Sequence, residues 1–260
     1  MILDLSDMEQ HSFDIAQRFV AAKFPDAECA FVAGSLMRGE GKSHSDIDLV
    51  VLYGPDFMAV RREAHALEGV LIDVFLHNEQ AQDFFFDKDG RRGVCALLSM
   101  IVEGRVIGKD TALAEKRKRL AQALIEKGPP PLDESDLKRR RYFISDLLDD
   151  LRDDRPPGEV TGCLSGLFFL LGDFHLRAQN QWSGNGKGLI RRLRQLDADF
   201  AARYEQDFAK AFRGDLAPVE KLVVDILQPY GGLCFGTGTM IWRRMIGRIL
   251  GQLESSATKP

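Results

Sequence analysis

The sequence predicts an α/β (α+β) module with a small mixed sheet over residues 1–127, followed by an all-α helical bundle over residues 132–260. Three observations lead to this fold class. Short β-branched runs alternate with amphipathic stretches in the first half, whereas helical periodicity dominates the second half. Between the halves, the Gly-Pro-Pro-Pro segment at residues 128–131 interrupts both patterns, as a linker would.

The first module begins with a predicted amphipathic helix at residues 7–24. Its apolar residues Phe13, Ala16, Phe19 and Phe24 recur near helical spacing, so we expect this helix to cover one face of the sheet. The elements expected after it are strands at 28–33, 46–53 and 70–76, helices at 55–67, 91–102 and 111–127, and an extended segment at 103–110.

Polar residues flank several of these elements. Asn78 can cap a short helix after the third strand, and Asp110 can cap the last helix of the module. The basic residues Arg61 and Arg62 are expected on the solvated face of the predicted helix before the third strand, from which an arginine could reach a phosphate.

The second half carries apolar stripes at helical spacing, which predict helices at 135–152, 160–179, 189–196, 199–212, 219–227 and 239–253. The helix at 160–179 is strongly apolar, so we expect it at the centre of the bundle. Short loops between amphipathic helices imply that neighbouring helices run antiparallel.

The stretch at residues 32–52 carries the strongest chemical signal. Side chains alternate along a strand, so Asp46 and Asp48 share one face with their Cα atoms about 7 Å apart, while Ile47, Leu49 and Val51 point into the core. Two carboxylates side by side repel each other, and a divalent cation would explain both. Mg²⁺ prefers hard oxygen ligands, and two such ions can clamp the attacking and leaving oxygens of a phosphoryl transfer.

The turn that precedes these carboxylates suits an anion. Gly34 lets the backbone come close to a ligand, and the amides near Ser35 can attract phosphate. Arg38 and Lys42 belong to the same loop and can reach phosphates as well. Lys187, in a glycine-rich loop of the second half, is a further candidate for the triphosphate or the product pyrophosphate.

The order of these residues resembles the signature of the nucleotidyltransferase superfamily typified by DNA polymerase β. That signature joins a hydrophobic residue and Gly-Ser to an Asp-hydrophobic-Asp-hydrophobic run about ten residues later, here residues 33–35 and 46–49. The superfamily also uses a third carboxylate on a later strand, which Asp73 supplies. The resemblance implies that Asp46, Asp48 and Asp73 bind two Mg²⁺ ions and catalyse transfer, and that Ser35 holds the outer phosphates.

The layout of module and helical domain is similar to that of aminoglycoside and lincosamide nucleotidyltransferases. It implies transfer of a nucleoside monophosphate, AMP from ATP, to a hydroxyl of a small acceptor such as an aminoglycoside-type antibiotic, with release of pyrophosphate. A homodimer is left open. The carboxylates considered as the base for the acceptor proton are Asp73, Glu103, Asp146, Asp149 and Glu159.

Two alternatives remain at this point. The chain could modify a protein, as minimal nucleotidyltransferases that act as antitoxins do, although those are single short modules. It could also be a non-catalytic nucleotide-binding sensor, although a sensor would not need all three carboxylates.

The composition indicates which binding partners and which cellular compartment to expect. A net charge of −4 and a pI near 5.8 argue against a broad nucleic-acid footprint, so the expected partners are a nucleoside triphosphate and a small acceptor. The four cysteines are far apart and lack C-x-x-C spacing, which favours free thiols. The acidic N-terminal residues do not resemble a signal peptide, and no apolar stretch could span a membrane, so we expect a cytoplasmic protein.

Overall fold

The computed structural model describes residues 5–41 and 45–235, with side chains from residue 8. The chain divides into two compact units. The first contains the residues up to Pro131 together with His175–Ala201, and the second contains Leu132–Phe174 together with the residues from Ala202 onward. The functional domains predicted at 1–127 and 132–260 stay a prediction.

The described residues form a mixed five-stranded sheet in the order β3-β4-β2-β1-β5. The strands are β1 (Cys29–Ala33), β2 (Ile47–Leu52), β3 (Arg61–Leu67), β4 (Val70–His77) and β5 (Arg105–Gly108). β2 and β4 run parallel, and the remaining neighbours run antiparallel. The predicted fold class, a small mixed sheet followed by a helical region, is confirmed.

The helices along the chain are α1 (Leu5–Lys23), α2 (Glu79–Arg92), α3 (Ala96–Glu103), α4 (Thr111–Lys127), α5 (Glu134–Asp150), α6 (Pro157–Ala178), α7 (Lys187–Leu196), α8 (Ala198–Ala211) and α9 (Ala217–Leu227). Most predicted helices are therefore confirmed to within a few residues. The helix predicted at 239–253 lies outside the described residues. In the part of the chain that the structure describes, no helix is long and apolar enough to cross a membrane.

The core of the first unit lies on both faces of the sheet. Ile47, Leu49 and Val51 are fully buried in a cluster with the apolar residues of α1, as predicted. Val50 and Leu52 point the other way, into a cluster with residues of α2, α3 and α4. Because side chains alternate along β2, Asp48 projects from the α2–α4 face. All four cysteines lie within the described residues and are free thiols.

The helix predicted at 55–67 is wrong, because Arg61–Leu67 forms β3. This strand pairs antiparallel with β4 from Arg61 opposite Leu76 to Leu67 opposite Val70. The two residues between the strands, Glu68 and Gly69, both have positive φ (53° and 79°), which is the geometry of a tight hairpin turn. β3 is an edge strand, so Arg61 and Arg62 stay exposed to solvent while its backbone pairs with β4.

The helix predicted at 91–102 is also wrong in extent, because the helical backbone is interrupted at Gly93. α2 ends at Arg92 and α3 begins at Ala96. Gly93 has a φ of 74°, and its N–H is directed to the carbonyls of Asp89 and Gly90. This left-handed conformation ends α2, and the side chain of Arg177 fills the place where a Cβ at Gly93 would lie, 2.1 Å from Nε, so only glycine fits here.

Both predicted N-caps are confirmed. The Asn78 side chain accepts the N–H of Ala81 at 2.7 Å, and the Asp110 side chain accepts the N–H of Leu113 at 2.8 Å. These bonds satisfy amides that have no partner within their helices. Asn78 also donates to the carbonyl of Phe57 at 2.9 Å, so it ties the start of α2 to the loop before β3.

Replacing Asn78 with alanine is expected to lower the free energy of unfolding by about 1–2 kcal/mol, because a cap and a buried donor are lost together. Urea unfolding followed by circular dichroism measures this loss. Asn78→Ser keeps a cap acceptor but cannot reach Phe57, so its loss should be smaller. Equal losses in the two variants would show that the cap does not stabilise α2.

Candidate functional site

Asp48 and Asp73 lie side by side on the sheet. They are register partners on the parallel strands β2 and β4, whose backbones are about 4.8 Å apart. Asp46 immediately precedes β2 and is exposed at the same edge. The structure therefore brings together the three carboxylates singled out from the sequence, on the α2–α4 face of the sheet.

The charges of this cluster act on one another. Burial, together with the nearby carboxylates of Asp46 and Asp73, raises the pKa of Asp48 from 3.8 to about 6, while Arg38 and Arg62 act in the opposite direction. Burial is the largest cause of this rise, and repulsion between the neighbouring carboxylates adds to it. A hard cation would relieve this repulsion.

Gly34 is required by the close approach of the turn to Asp48. Its φ is 102°, in the region that side chains rarely adopt, and a Cβ there would lie 3.0 Å from Oδ2 of Asp48 and 3.3 Å from the carbonyl oxygen of Asp46. The preceding residue, Ala33, is the register partner of Asp48 on β1. The two parts of the sequence motif, residues 33–35 and 46–49, therefore lie next to each other.

Ser35 holds the loop that follows. Its carbonyl accepts the N–H groups of Arg38 (3.3 Å) and Glu40 (2.9 Å), and these bonds shape a short 3-10 turn at Leu36–Arg38. Its hydroxyl donates to Oγ of Ser45 at 3.0 Å, which joins the beginning of the loop to the residues just before β2. Ser35 is thereby linked to Ser45, which directly precedes Asp46, while its role in holding phosphate stays a prediction.

Ion pairs connect Arg38 to two glutamates and, through one of them, to α7. Its guanidinium contacts Glu40 at 3.2 Å and Glu103 at 3.1 Å, and Glu40 in turn contacts Arg191 of α7 at 3.3 Å. Lys187 is the exposed first residue of α7, one helical turn before Arg191 and on the same side of the helix. The predicted phosphate ligand Lys42 lies outside the described residues.

The contact of Arg191 with Glu40 could not be predicted from the sequence. The only signal was a run of basic residues on an amphipathic helix, and such a run is usually a solvated face. Its contact with Glu40 joins residues about 150 positions apart, which no local pattern predicts.

Arg62 binds one of the three carboxylates. Its Nε donates to Oδ1 of Asp73 at 2.7 Å, and its Nη2 donates to Oδ2. The guanidinium carbon also lies 5.0 Å from the ring centre of Phe75, which is the register partner of Arg62 on β4. The hydrogen bond to Asp73 is the main cause of a raised pKa of Arg62. Arg62 reaches the site because its segment is a strand and not the predicted helix.

The cluster suits a divalent cation in its chemistry, although it is not assembled as a metal cage. Across residues 5–41 and 45–235, no three His, Cys, Asp or Glu side chains are arranged to hold a metal ion. Asp73 is instead held by Arg62. The available ligands are nonetheless carboxylate oxygens, the type that Mg²⁺ prefers.

The other carboxylates considered as bases are exposed or paired with arginine. In the first unit, Glu103 contacts Arg38. In the second unit, Asp146 is exposed on α5, while Asp149 and Glu159 contact Arg152 and Arg155 at 3.8 and 3.4 Å.

Comparisons with known proteins identify no family. No protein-family model matches the chain, and no curated protein matches it. Among solved structures, the chain is similar to a nucleotidyltransferase-like protein from Exiguobacterium sibiricum 255-15, with 15% identity over 85% of this chain and 75% of that one. The TM-score of 0.38 is too low for this similarity to carry an argument, so the function is inferred from the residues of the site.

Proposed function

We propose that the protein is a magnesium-dependent nucleotidyltransferase that transfers AMP from ATP to a hydroxyl of a small acceptor and releases pyrophosphate. The observation that carries this proposal is the pairing of Asp48 with Asp73 directly beside Gly34, whose missing side chain leaves room for the Asp48 carboxylate. A carboxylate pair next to a tight glycine turn provides cation ligands and a close backbone approach for phosphate in one place.

Asp46, Asp48 and Asp73 are the residues that would hold the metal. Bound Mg²⁺ would polarise the phosphoryl oxygens and stabilise the charge that develops on the leaving group. The loop at residues 34–41 would lie along the phosphates of the nucleotide. Arg38 of this loop and Arg191 of α7 both contact Glu40. Their positive charges would counter the negative charge of the triphosphate.

The reaction itself forms one bond and breaks another. The acceptor oxygen bonds to the α-phosphorus of ATP, and the bond between that phosphorus and the bridging oxygen of the β-phosphate breaks, so pyrophosphate leaves. The proton of the acceptor hydroxyl passes to a carboxylate of the cluster. An aminoglycoside-type acceptor would suit these carboxylates, since its ammonium groups are attracted to acidic surfaces.

A second candidate is a nucleotide-binding sensor without turnover. It is favoured by the ion pair between Arg62 and Asp73, which neutralises one of the three carboxylates. A protein acceptor in place of a small molecule would use the same chemistry and differs only in what enters the site.

The test is magnesium-dependent pyrophosphate release from ATP across a panel of aminoglycosides, lincosamides and small metabolites. The blank is the double variant Asp46→Asn/Asp48→Asn, and the matched control is Asp87→Asn, an exposed carboxylate paired with Arg91 on α2. We expect release with one acceptor class in the wild type and in Asp87→Asn, at least about 100-fold above the blank. Nucleotide binding without release, for small acceptors and for proteins incubated with labelled ATP, would overturn transferase activity and favour the sensor.

A further inference from the structure

Arg62 forms an ion pair with Asp73, one of the carboxylates that would bind a metal ion. Its guanidinium bonds to both oxygens of Asp73 in the forked geometry that arginine forms with carboxylates. The side chain of Asp73 is only 14% exposed, whereas that of Arg62 is 67% exposed. The arginine therefore covers Asp73 from the solvent side and can move away without disturbing the core.

The hairpin of β3 and β4 positions this arginine. Ala64 is the register partner of Asp73, and its small side chain leaves the face above the carboxylate open. Arg62 lies two residues before Ala64 on the same face of β3 and reaches across that space. Arg61 projects from the opposite face and contacts Glu63 at 2.6 Å, so the two neighbouring arginines have separate surroundings.

While the guanidinium holds both oxygens of Asp73, a metal ion that shared this carboxylate would lie next to a positive charge. A free cation would have to expel Arg62 and leave its charge beside a positive ion. A metal–nucleotide complex avoids this cost because its phosphate offers Arg62 a new partner with the same forked fit. One ion pair is then replaced by two contacts, one between Asp73 and the metal and one between Arg62 and phosphate.

We propose that Arg62 and the metal exchange partners at Asp73, so that this site selects a metal–nucleoside triphosphate complex over the free metal ion. This inference rests on the proposed function of the site. It makes Arg62 a phosphate-binding residue of the loaded protein and a counter-ion of Asp73 in the empty one. By linkage, the nucleotide must then raise the affinity for metal as much as the metal raises that for nucleotide.

The test measures Mn²⁺ binding by the loss of the free-ion signal in electron paramagnetic resonance. The titration uses Mn²⁺ alone and then Mn²⁺ with the α,β-methylene analogue of ATP. The proteins are wild type, Arg62→Gln, Arg62→Lys, Arg61→Gln and Asp48→Asn. In the wild type and in Arg61→Gln, the analogue should tighten Mn²⁺ binding.

In Arg62→Gln, Mn²⁺ alone should bind about 3- to 10-fold more tightly than in the wild type, because the competing cation is gone and exposed ion pairs contribute modestly. The analogue should bind several-fold more weakly, so the coupling between metal and nucleotide should fall. Arg62→Lys keeps the charge but loses the fork, and it should lie between wild type and Arg62→Gln.

The outcomes separate the two proposals. Unchanged or weaker binding of Mn²⁺ alone in Arg62→Gln would overturn the exchange, provided that Asp48→Asn has lost the site. Wild-type Mn²⁺ binding in Asp48→Asn would instead overturn the metal site on which the proposed function depends.

Discussion

Asp48→Asn is expected to reduce magnesium-dependent pyrophosphate release by about 10²- to 10³-fold while making the metal-free protein more stable. The two effects have one cause. Burial of Asp48, together with the nearby carboxylates of Asp46 and Asp73, raises its pKa to about 6. Asparagine removes a metal ligand and also removes the cost of burying a charge beside two carboxylates, so activity should fall while stability rises.

The gain in stability depends on pH. Since the pKa of Asp48 is about 6 in the folded protein against an ordinary value of 3.8, its ionisation costs the fold on the order of 3 kcal/mol. The stabilisation by the protonated form is fully present below pH 3.8 and is lost as the pH rises through 6. The Tm of Asp48→Asn should therefore exceed that of the wild type by several degrees at pH 8, and the difference should shrink towards pH 4.

Calorimetry without divalent cations at pH 8 and pH 4 measures this difference. Asp87→Asn serves as the control, since Asp87 is exposed and paired with Arg91, and its Tm should change little at either pH. A lower Tm for Asp48→Asn than for the wild type at pH 8 would contradict the cost assigned to the ionised Asp48 in the folded protein.

Gly34→Ala is expected to lower activity by about 10²-fold and to destabilise the protein by about 1–3 kcal/mol. The new Cβ would lie 3.0 Å from Oδ2 of Asp48, and the residue would keep a φ of 102° that alanine rarely adopts. Either the turn or the carboxylate must move, and both belong to the proposed metal–phosphate site.

Gly39→Ala is the matched control for this prediction. Gly39 belongs to the same loop and also has a positive φ, 67°, but a Cβ there would have no heavy atom within 4 Å. It should show the backbone cost of about 1 kcal/mol and keep most of the activity. Steady-state kinetics and urea unfolding of the two variants distinguish the effect of the Cβ contact with Asp48 from the effect of the positive φ, which both variants share. Equal losses of activity would mean that the approach of Gly34 to Asp48 is not what the site requires.

Features that depend on a single segment of the sequence are predictable from that segment alone. The alternation along residues 46–53 was enough to place Ile47 in the core and Asp48 on the opposite face, because strand periodicity is a property of the segment itself. The caps at Asn78 and Asp110 were predictable for the same reason, since each bonds an amide three residues ahead.

Local patterns do not predict contacts between distant segments, and the proximity of Asp48 and Asp73 was implied only by the resemblance to a known superfamily. The pairing of Asp48 with Asp73 depends on β2 lying next to β4 in parallel, which no pattern within either strand specifies. The pattern of residues 55–67 favours a helix, whereas the hairpin turn at Glu68 and Gly69 makes the segment of Arg62 a strand. Once that turn is recognised, the alternation of β3 places Arg62 on the face of Asp73 and Arg61 on the other.

Whether Asp48 and Asp73 hold a metal–nucleotide complex can be seen by anomalous X-ray scattering from crystals soaked with Mn²⁺ and the α,β-methylene analogue of ATP. We expect an anomalous peak within about 2–2.5 Å of the carboxylate oxygens of Asp48 and Asp73, with the triphosphate along residues 34–41. A bound nucleotide with manganese away from both carboxylates, or no manganese at all, would contradict it.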